Sequence, residues 1–268
     1  MKRIAAILLT AGLLFGLSAC GGGTDDGNSV RTVVVGTSND YPPYCYLDGN
    51  GDLVGFEKEL LDAVDARLPQ YKFKYEIYDF KNILTALDTG RVDIAAHQYG
   101  TNPEREEKYL FGTVPYFSTE DFIVVAAGTE GIASLDDLAG KIVSVAPACN
   151  WALMLEDYNA AHPETPIQIE YYESTPQILS SNLENGVIDA TVMTTADVQL
   201  MNTLLGTSFK TVGAPLSDTE VFHIYAKDET QLQADIDTVL QELKDSGEME
   251  RLSQAALDSV IKNNKELG

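Results

Sequence analysis

Short β-branched and apolar runs alternate along this chain with stretches whose apolar positions recur every three to four residues, and the two kinds of segment keep a regular order. Residues 31–36 (RTVVVG) have the composition of a buried parallel strand. A turn-rich stretch follows at 37–52, carrying Tyr41-Pro-Pro-Tyr44 and Asp48-Gly-Asn-Gly51. Phe56, Leu60, Leu61, Val64 and Leu68 then keep helical spacing up to Pro69. Residues 72–78 predict a strand, 82–88 a helix closed at Gly90, and 92–96 a third strand. Strand, helix, strand, helix, strand predicts a doubly wound α/β unit.

The same order comes a second time. Residues 122–127 predict a connecting strand with no helix before it, and Ser134-Leu-Asp-Asp-Leu138 a short capped helix. Residues 141–145, 168–172 and 187–193 read as strands, with helices at 152–158 and 175–184 between them. The last of these strands is expected to empty into a polar loop at Thr194 and Thr195. Residues 221–226 predict a second linking strand, leading to helices at 229–246 and 248–263 with Gly247 as the C-cap between them. The expected fold class is α/β, with two doubly wound lobes: 30–117 with 220–268 in the first, and 118–219 in the second. Two crossing segments between them predict a ligand cleft with hinge motion, lined by loops at the strand C-termini.

The N-terminus stands apart from this pattern. Lys2 and Arg3 precede a mostly apolar run at 4–17, too short for a comfortable spanning helix. Leu17-Ser-Ala-Cys20 closes it and resembles the lipobox of bacterial lipoproteins. That resemblance implies a signal peptide at 1–19 and a lipid-modified Cys20 holding the protein on the outer face of a membrane; an ordinary secretory signal is the alternative. Residues 20–29, glycine-rich and without an apolar side chain after Cys20, predict a flexible tether.

Composition narrows the partners. The 268 residues are 44% hydrophobic and 22% charged, as in globular proteins, and carry a formal net charge of −23. Loss of Lys2 and Arg3 takes this to −25 (−23 − 2). Such a surface excludes nucleic acid as a partner. Beyond Cys20 only Cys45 and Cys149 remain, and His97, His162 and His223 are scattered, so neither a metal site nor a cofactor is expected.

One stretch carries the candidate chemistry. From Asp93 the chain passes from the 92–96 strand through a polar loop, His97-Gln-Tyr-Gly-Thr-Asn102, to Pro103 and a charged helical turn with Arg105. A guanidinium offers a planar fork matched to a carboxylate. By itself, Arg105 reads first as a surface residue paired with Glu104, Glu106 or Glu107.

From about Val30 to Leu267 the chain resembles bacterial extracellular solute-binding proteins of the polar-amino-acid group, receptor subunits of ABC importers. The carriers are Val35-Gly-Thr37, Tyr41-Pro-Pro-Tyr44, Gly55-Phe-Glu-Lys-Glu-Leu60, Gly90-Arg-Val-Asp93, Asn102-Pro-Glu-Arg105 and Pro115-Tyr116. Leu138-Ala-Gly-Lys141, Asn185-Gly-Val-Ile-Asp-Ala190 and Asp245-Ser-Gly247 continue it. The runs around His97–Arg105 and Asp189–Thr195 are most similar to cystine-binding receptors. The resemblance implies a monomeric type II periplasmic-binding-protein fold outside the cytoplasm that captures a zwitterionic amino acid and delivers it to membrane permease subunits. It implies that Arg105 grips the ligand carboxylate and that Gln98 and the Gly100 backbone make polar contacts. Tyr41 and Phe80 would sandwich the ligand side chain, with Tyr44 and His97 close by. Cys149, Asn150 and Trp151 would offer open N–H groups at a helix N-terminus.

The chain departs from the family at Thr194, where many members place an aspartate against the ligand ammonium. Thr194, Thr195, backbone carbonyls or Asp40 stand as substitutes, and Asp197 lies three residues further on. Cys45 and Cys149, expected on loops facing the cleft from opposite lobes, read either as a pair able to form a disulfide or as two free thiols. Two other functions share the fold: a dehydratase, which needs a placed general acid or base, and the ligand-input domain of a membrane sensor.

Overall fold

The computed structural model describes residues 30–172 and 175–267; the expected signal peptide, tether and lipidated Cys20 lie outside these residues. The chain begins with β1 (Arg31–Thr37), then a small antiparallel sheet of β2 (Asp40–Tyr41), β3 (Cys45–Leu47) and β4 (Leu53–Val54). Next come α1 (Phe56–Asp65), β5 (Tyr71–Ile77), α2 (Phe80–Asp88) and β6 (Ile94–Gly100). The short α3 (Pro103–Lys108) and β7 (Leu110–Phe111) lead into β8 (Phe117–Ala126). The second unit is β9 (Ile142–Val145), α4 (Asn150–Ala161), β10 (Gln168–Tyr171), α5 (Pro176–Glu184) and β11 (Ala190–Thr194). Then α6 (Thr195–Leu205) and the long β12 (Phe209–Tyr225) return the chain to α7 (Thr230–Asp245) and α8 (Glu248–Leu267).

Among the described residues the large sheet runs β10-β9-β11-β8-β12-β6-β1-β5, with β7 also on β12. In each half a central strand, β1 or β9, is flanked by its two parallel successors, and β8 and β12 pair antiparallel through the middle. Each half is covered on both faces. In the first, Phe56, Leu60, Leu61 and Val64 of α1 pack with β1 and with α7 and α8, while Ile83, Ala86 and Leu87 of α2 pack on the other face. In the second, Leu155 of α4 packs on one side, and Leu179, Leu183, Val198 and Met201 of α5 and α6 on the other. Leu60, Leu61 and Val64 have no exposed surface, and such burial stabilises by roughly 1.5–3 kcal/mol for each side chain.

The two units share a local device that explains two of the sequence motifs. Each middle helix ends near a glycine at φ 66°, Gly90 or Gly186, a left-handed turn that a side chain would strain. An aspartate three residues later then accepts the N–H of the adjacent strand. Asp93 takes Val34 at 2.7 Å, and Asp189 takes Ile142 at 2.8 Å. The aspartate so locks the register of the strand it starts against the first strand of its unit.

Several expected boundaries move. His97 to Gly100 are not a loop: β6 continues through them because β12 pairs alongside, with Tyr99 opposite Phe222 and Gly100 opposite Val221. The linking strands expected at 122–127 and 221–226 are longer, β8 starting at Phe117 and β12 at Phe209. Their added length is polar, with Asp218, Thr219 and Glu220 opposite Glu120, Thr119 and Ser118, so cross-strand hydrogen bonds rather than burial make it a strand. The polar loop expected at Thr194 and Thr195 is absent, since Thr194 is the N-cap of α6 and Thr195 its first residue. The capped helix expected at Ser134 is a single 3-10 turn, Asp136–Leu138, with the Ser134 hydroxyl donating to Asp137 at 2.9 Å. Cys45 and Cys149 are free thiols, Cys45 buried and Cys149 half-buried.

Candidate ligand-binding site

Between the halves lies a cavity of about 400 Å³, lined from one side by the ends of β2, α2 and β6 and from the other by β8, β11, α4, α5 and α6. Its volume is in the range of small-molecule sites.

Arg105 is built into it from below. Asn102 caps α3, its Oδ1 accepting the Arg105 N–H at 2.9 Å, and Pro103 holds the first turn. The Arg105 side chain is 6% exposed. Its Nη1 donates to the Gly100 carbonyl at 3.0 Å and its Nη2 to the Ala148 carbonyl at 2.9 Å, and the guanidinium lies 5.0 Å over the Tyr99 ring. Burial pushes its pKa down from the ordinary value, and it forms no ion pair among the described residues. The surface alternative fails because Arg105 is buried without an ion pair to Glu104, Glu106 or Glu107, and Glu104 pairs with Lys108 instead. Each carbonyl takes one of the five guanidinium protons, leaving three for a ligand. Beside it, the first N–H groups of α4, at Asn150 and Trp151, have no intrahelical acceptor. A fork and a helix N-terminus on one spot suit a carboxylate.

Above Arg105 the rings form a row. Tyr41 stacks on His97 (5.4 Å between centroids, 18°), His97 meets Phe80 at 4.7 Å, and Phe80 stacks on Tyr99 at 5.4 Å; Tyr44 backs Tyr41 at 4.8 Å. His97 therefore stands between Tyr41 and Phe80. Burial pushes its pKa down, and its Nε2 is 2.8 Å from the Ser38 hydroxyl, so it serves as a neutral ring in the wall. The facing wall sets the apolar side chains of Leu179, Met193, Leu200 and Met201 beside the polar Asp121, Thr194 and Asp197.

Other expected contacts are engaged elsewhere. Gln98, at φ 49°, donates both its backbone N–H (2.7 Å) and its Nε2 (3.0 Å) to the buried Glu57 carboxylate. The Thr194 hydroxyl is closed in a capping box, donating to Asp197 Oδ2 at 2.8 Å and accepting the Asp197 N–H at 3.0 Å. Thr195 is exposed and does not line the cavity. Cys149 N-caps α4, its Sγ accepting the Ala152 N–H at 3.4 Å; burial holds both thiols above their usual pKa, Cys45 at about 12, which keeps them protonated and slow to exchange.

The Asn150 side chain joins the halves. Its Oδ1 accepts from Asn102 Nδ2 at 2.8 Å, and its own Nδ2 donates to the Thr101 carbonyl at 3.1 Å. With the Arg105–Ala148 bond these contacts hold the lobes together at the floor of the cleft. Asn150→Ala is expected to weaken ligand binding by roughly 3- to 10-fold, through faster dissociation with association little changed. Stopped-flow fluorescence from Trp151 would measure it, and an unaltered dissociation rate would remove the latch.

Two carboxylates in this wall were not among the expected site residues: Asp121, and Asp197, noted only as lying beyond Thr194; they are 3% and 8% exposed. Thr194-Thr-Ala-Asp197 does carry a capping-box spacing, which was signal enough to start a helix there. Asp121 lay just outside the strand expected at 122–127, and nothing local marks it as buried.

A family profile described as bacterial extracellular solute-binding proteins, family 3, matches residues 33–258. The L-cystine-binding protein TcyK of Bacillus subtilis (strain 168) is 36% identical over 255 residues, 94% of this chain and 94% of that protein. The arginine-binding extracellular protein ArtP of the same organism is 35% identical over 146 residues, 54% of this chain and 56% of its own. Among solved structures, a putative L-cystine ABC transporter from Listeria monocytogenes is similar at a TM-score of 0.79 and 38% identity, covering 85% of this chain and 96% of that one. The two-lobed fold expected from the sequence, of the type II periplasmic-binding-protein class, is thus the one found. On the extent of the profile match and the identity to TcyK, the chain belongs to the bacterial extracellular solute-binding proteins, family 3.

Proposed function

We propose that this chain is the substrate-binding subunit of an ABC importer for an amino acid, with L-cystine as its ligand, and that it delivers the ligand to permease subunits in the membrane. The observation that carries the reading is Arg105: a buried guanidinium aimed into an interlobe cavity, bonded to carbonyls and lying over a ring, with no ion pair among the described residues. A ligand carboxylate completes it. The row of aromatic rings facing Leu179, Met193, Leu200 and Met201 suits the disulfide-bearing middle of cystine, and similarity to TcyK and to the Listeria structure supports the same ligand. A member of an extracellular solute-binding family works outside the cytoplasm.

In this reading the lobes divide near residues 117 and 220, closure occurs about β8 and β12, the protein is a monomer, and Cys20 carries the lipid that keeps it beside its permease. No helix of the described residues is long and apolar enough to cross a membrane. A receptor is favoured over a dehydratase by the solute-binding family that the chain matches and by the binding proteins it resembles. Thermal-shift measurement on protein stripped of bound ligand, against the twenty amino acids and L-cystine, tests the assignment. Cystine at roughly 100 times its Kd is expected to add about 2.7 kcal/mol of stability. A shift with arginine and none with cystine would overturn the ligand, and no shift with any amino acid would overturn the function.

A further inference from the structure

The cleft holds two buried acids as well as its buried base. Asp121 on β8 is the antiparallel partner of Thr194, and Asp197 is three residues past that N-cap, so the two carboxylates sit side by side in the second-lobe wall. Asp121 Oδ2 accepts from the hydroxyls of Ser217 at 2.6 Å and Thr219 at 2.9 Å. Asp197 Oδ2 accepts from the Thr194 hydroxyl and N–H, and at 3.4 Å from the Tyr41 hydroxyl across the cleft. Asp197 Oδ1 accepts no hydrogen bond among the described residues, and neither acid has an ion-pair partner there. Hydroxyl donors relieve the lost hydration of a carboxylate without cancelling its charge, and a buried anion without a counter-charge is costly. Burial, with Asp121 nearby, lifts the Asp197 carboxyl to about 6, which still leaves it mostly ionised at neutral pH.

One cavity thus presents an unmatched cation at its floor and an unmatched anion pair on its wall. We infer that Asp197, with Asp121 behind it, binds the ligand's α-ammonium. The other acceptors are weaker. The Thr194 hydroxyl is closed in its capping box, Thr195 faces solvent, and Asp40 is exposed, where a charge contact is screened. The long Tyr41–Asp197 contact marks where the ammonium enters, so the group that recognises the amino acid is also touched from the opposite lobe. Asp197 is a specificity-determining residue: it selects amino acids over the corresponding carboxylic acids.

This rests on the amino-acid reading above, and the test separates the two. Calorimetry compares L-cystine with 3,3′-dithiodipropionate, the same disulfide diacid without ammonium groups, on wild type, Asp197→Asn and Asp121→Asn. Asp197→Asn is expected to lose roughly 10- to 100-fold for cystine and nothing for the diacid, with a smaller selective loss in Asp121→Asn. Equal cystine binding by wild type and Asp197→Asn, or equal losses for both compounds, would overturn the assignment while the amino-acid reading stands. Should Asp197→Asn not fold, Asp121→Asn decides by the same selective loss or its absence. If wild type binds arginine in place of cystine, arginine and 5-guanidinopentanoate make the same comparison. Wild type that binds no amino acid overturns both.

Discussion

Arg105→Ala is expected to weaken ligand binding by roughly 100-fold or more while the free protein melts within a few degrees of wild type. The first half follows from charge: removing one side of a buried, hydrogen-bonded ion pair costs about 2–5 kcal/mol, and the ligand carboxylate would be that pair's other side. The second half follows because the free protein holds this guanidinium buried without a counter-ion, an arrangement that does not favour folding. What alanine removes is two bonds to carbonyls, at Gly100 and Ala148, which water entering the open cleft can replace. Arg105→Lys keeps the charge and loses the fork, and belongs between the two. Calorimetry and a thermal melt on the same preparations check both halves. Near-normal affinity in Arg105→Ala would sink the carboxylate anchor, and a collapsed melt would show that the arginine is a structural residue.

Glu57 carries the opposite balance. Its carboxylate, 1% exposed, accepts from the Tyr116 hydroxyl at 2.6 Å and from Gln98 twice, and His223 Nε2 lies 3.4 Å from its second oxygen, at ion-pair distance. Burial acts to raise its pKa, but the interactions with His223, Tyr116 and the Gln98 N–H outweigh it and leave the group below its ordinary value. Glu57→Leu fills a similar space and strands these donors in the core. The expected loss is about 3 kcal/mol, or a melting temperature roughly 6–12 °C lower. The sign with pH follows from the direction of the shift. A carboxylate whose folded pKa is depressed contributes stability that is full above its unfolded value of roughly 4.3 and is lost as pH falls through the lower folded value. The difference between wild type and Glu57→Leu should therefore shrink as pH falls below about 4. A difference that stays constant to low pH would mean that the ionised carboxylate is not what holds the network.

The layout of the fold could be read because its strands and helices bury apolar faces with clean periods: α1 shows it in Phe56, Leu60, Leu61 and Val64, and β1 in its valines. What escaped reading was structure held by pairing. The far end of β6 and the polar parts of β8 and β12 are strands because a neighbour satisfies their backbone, and a window on one segment cannot contain its neighbour. The site divides in the same way. Arg105 follows a Pro-containing cap and stands in a family-like run, so it was legible. Asp121 and Asp197 gain meaning only when β8, β11 and α6 bury them together, and Gln98, expected at the ligand, lines the cavity while bonding to Glu57.

Gly100 sits where the halves meet: a methyl group built there would lie 2.9 Å from Asn150 Nδ2 and 2.7 Å from Thr219 Cγ2. The jaws therefore shut with less clearance than one carbon atom. A side chain at this point acts as a doorstop, wedging apart two surfaces whose ligand groups are otherwise untouched. The absence of a side chain at Gly100 is thus what lets the two surfaces come this close.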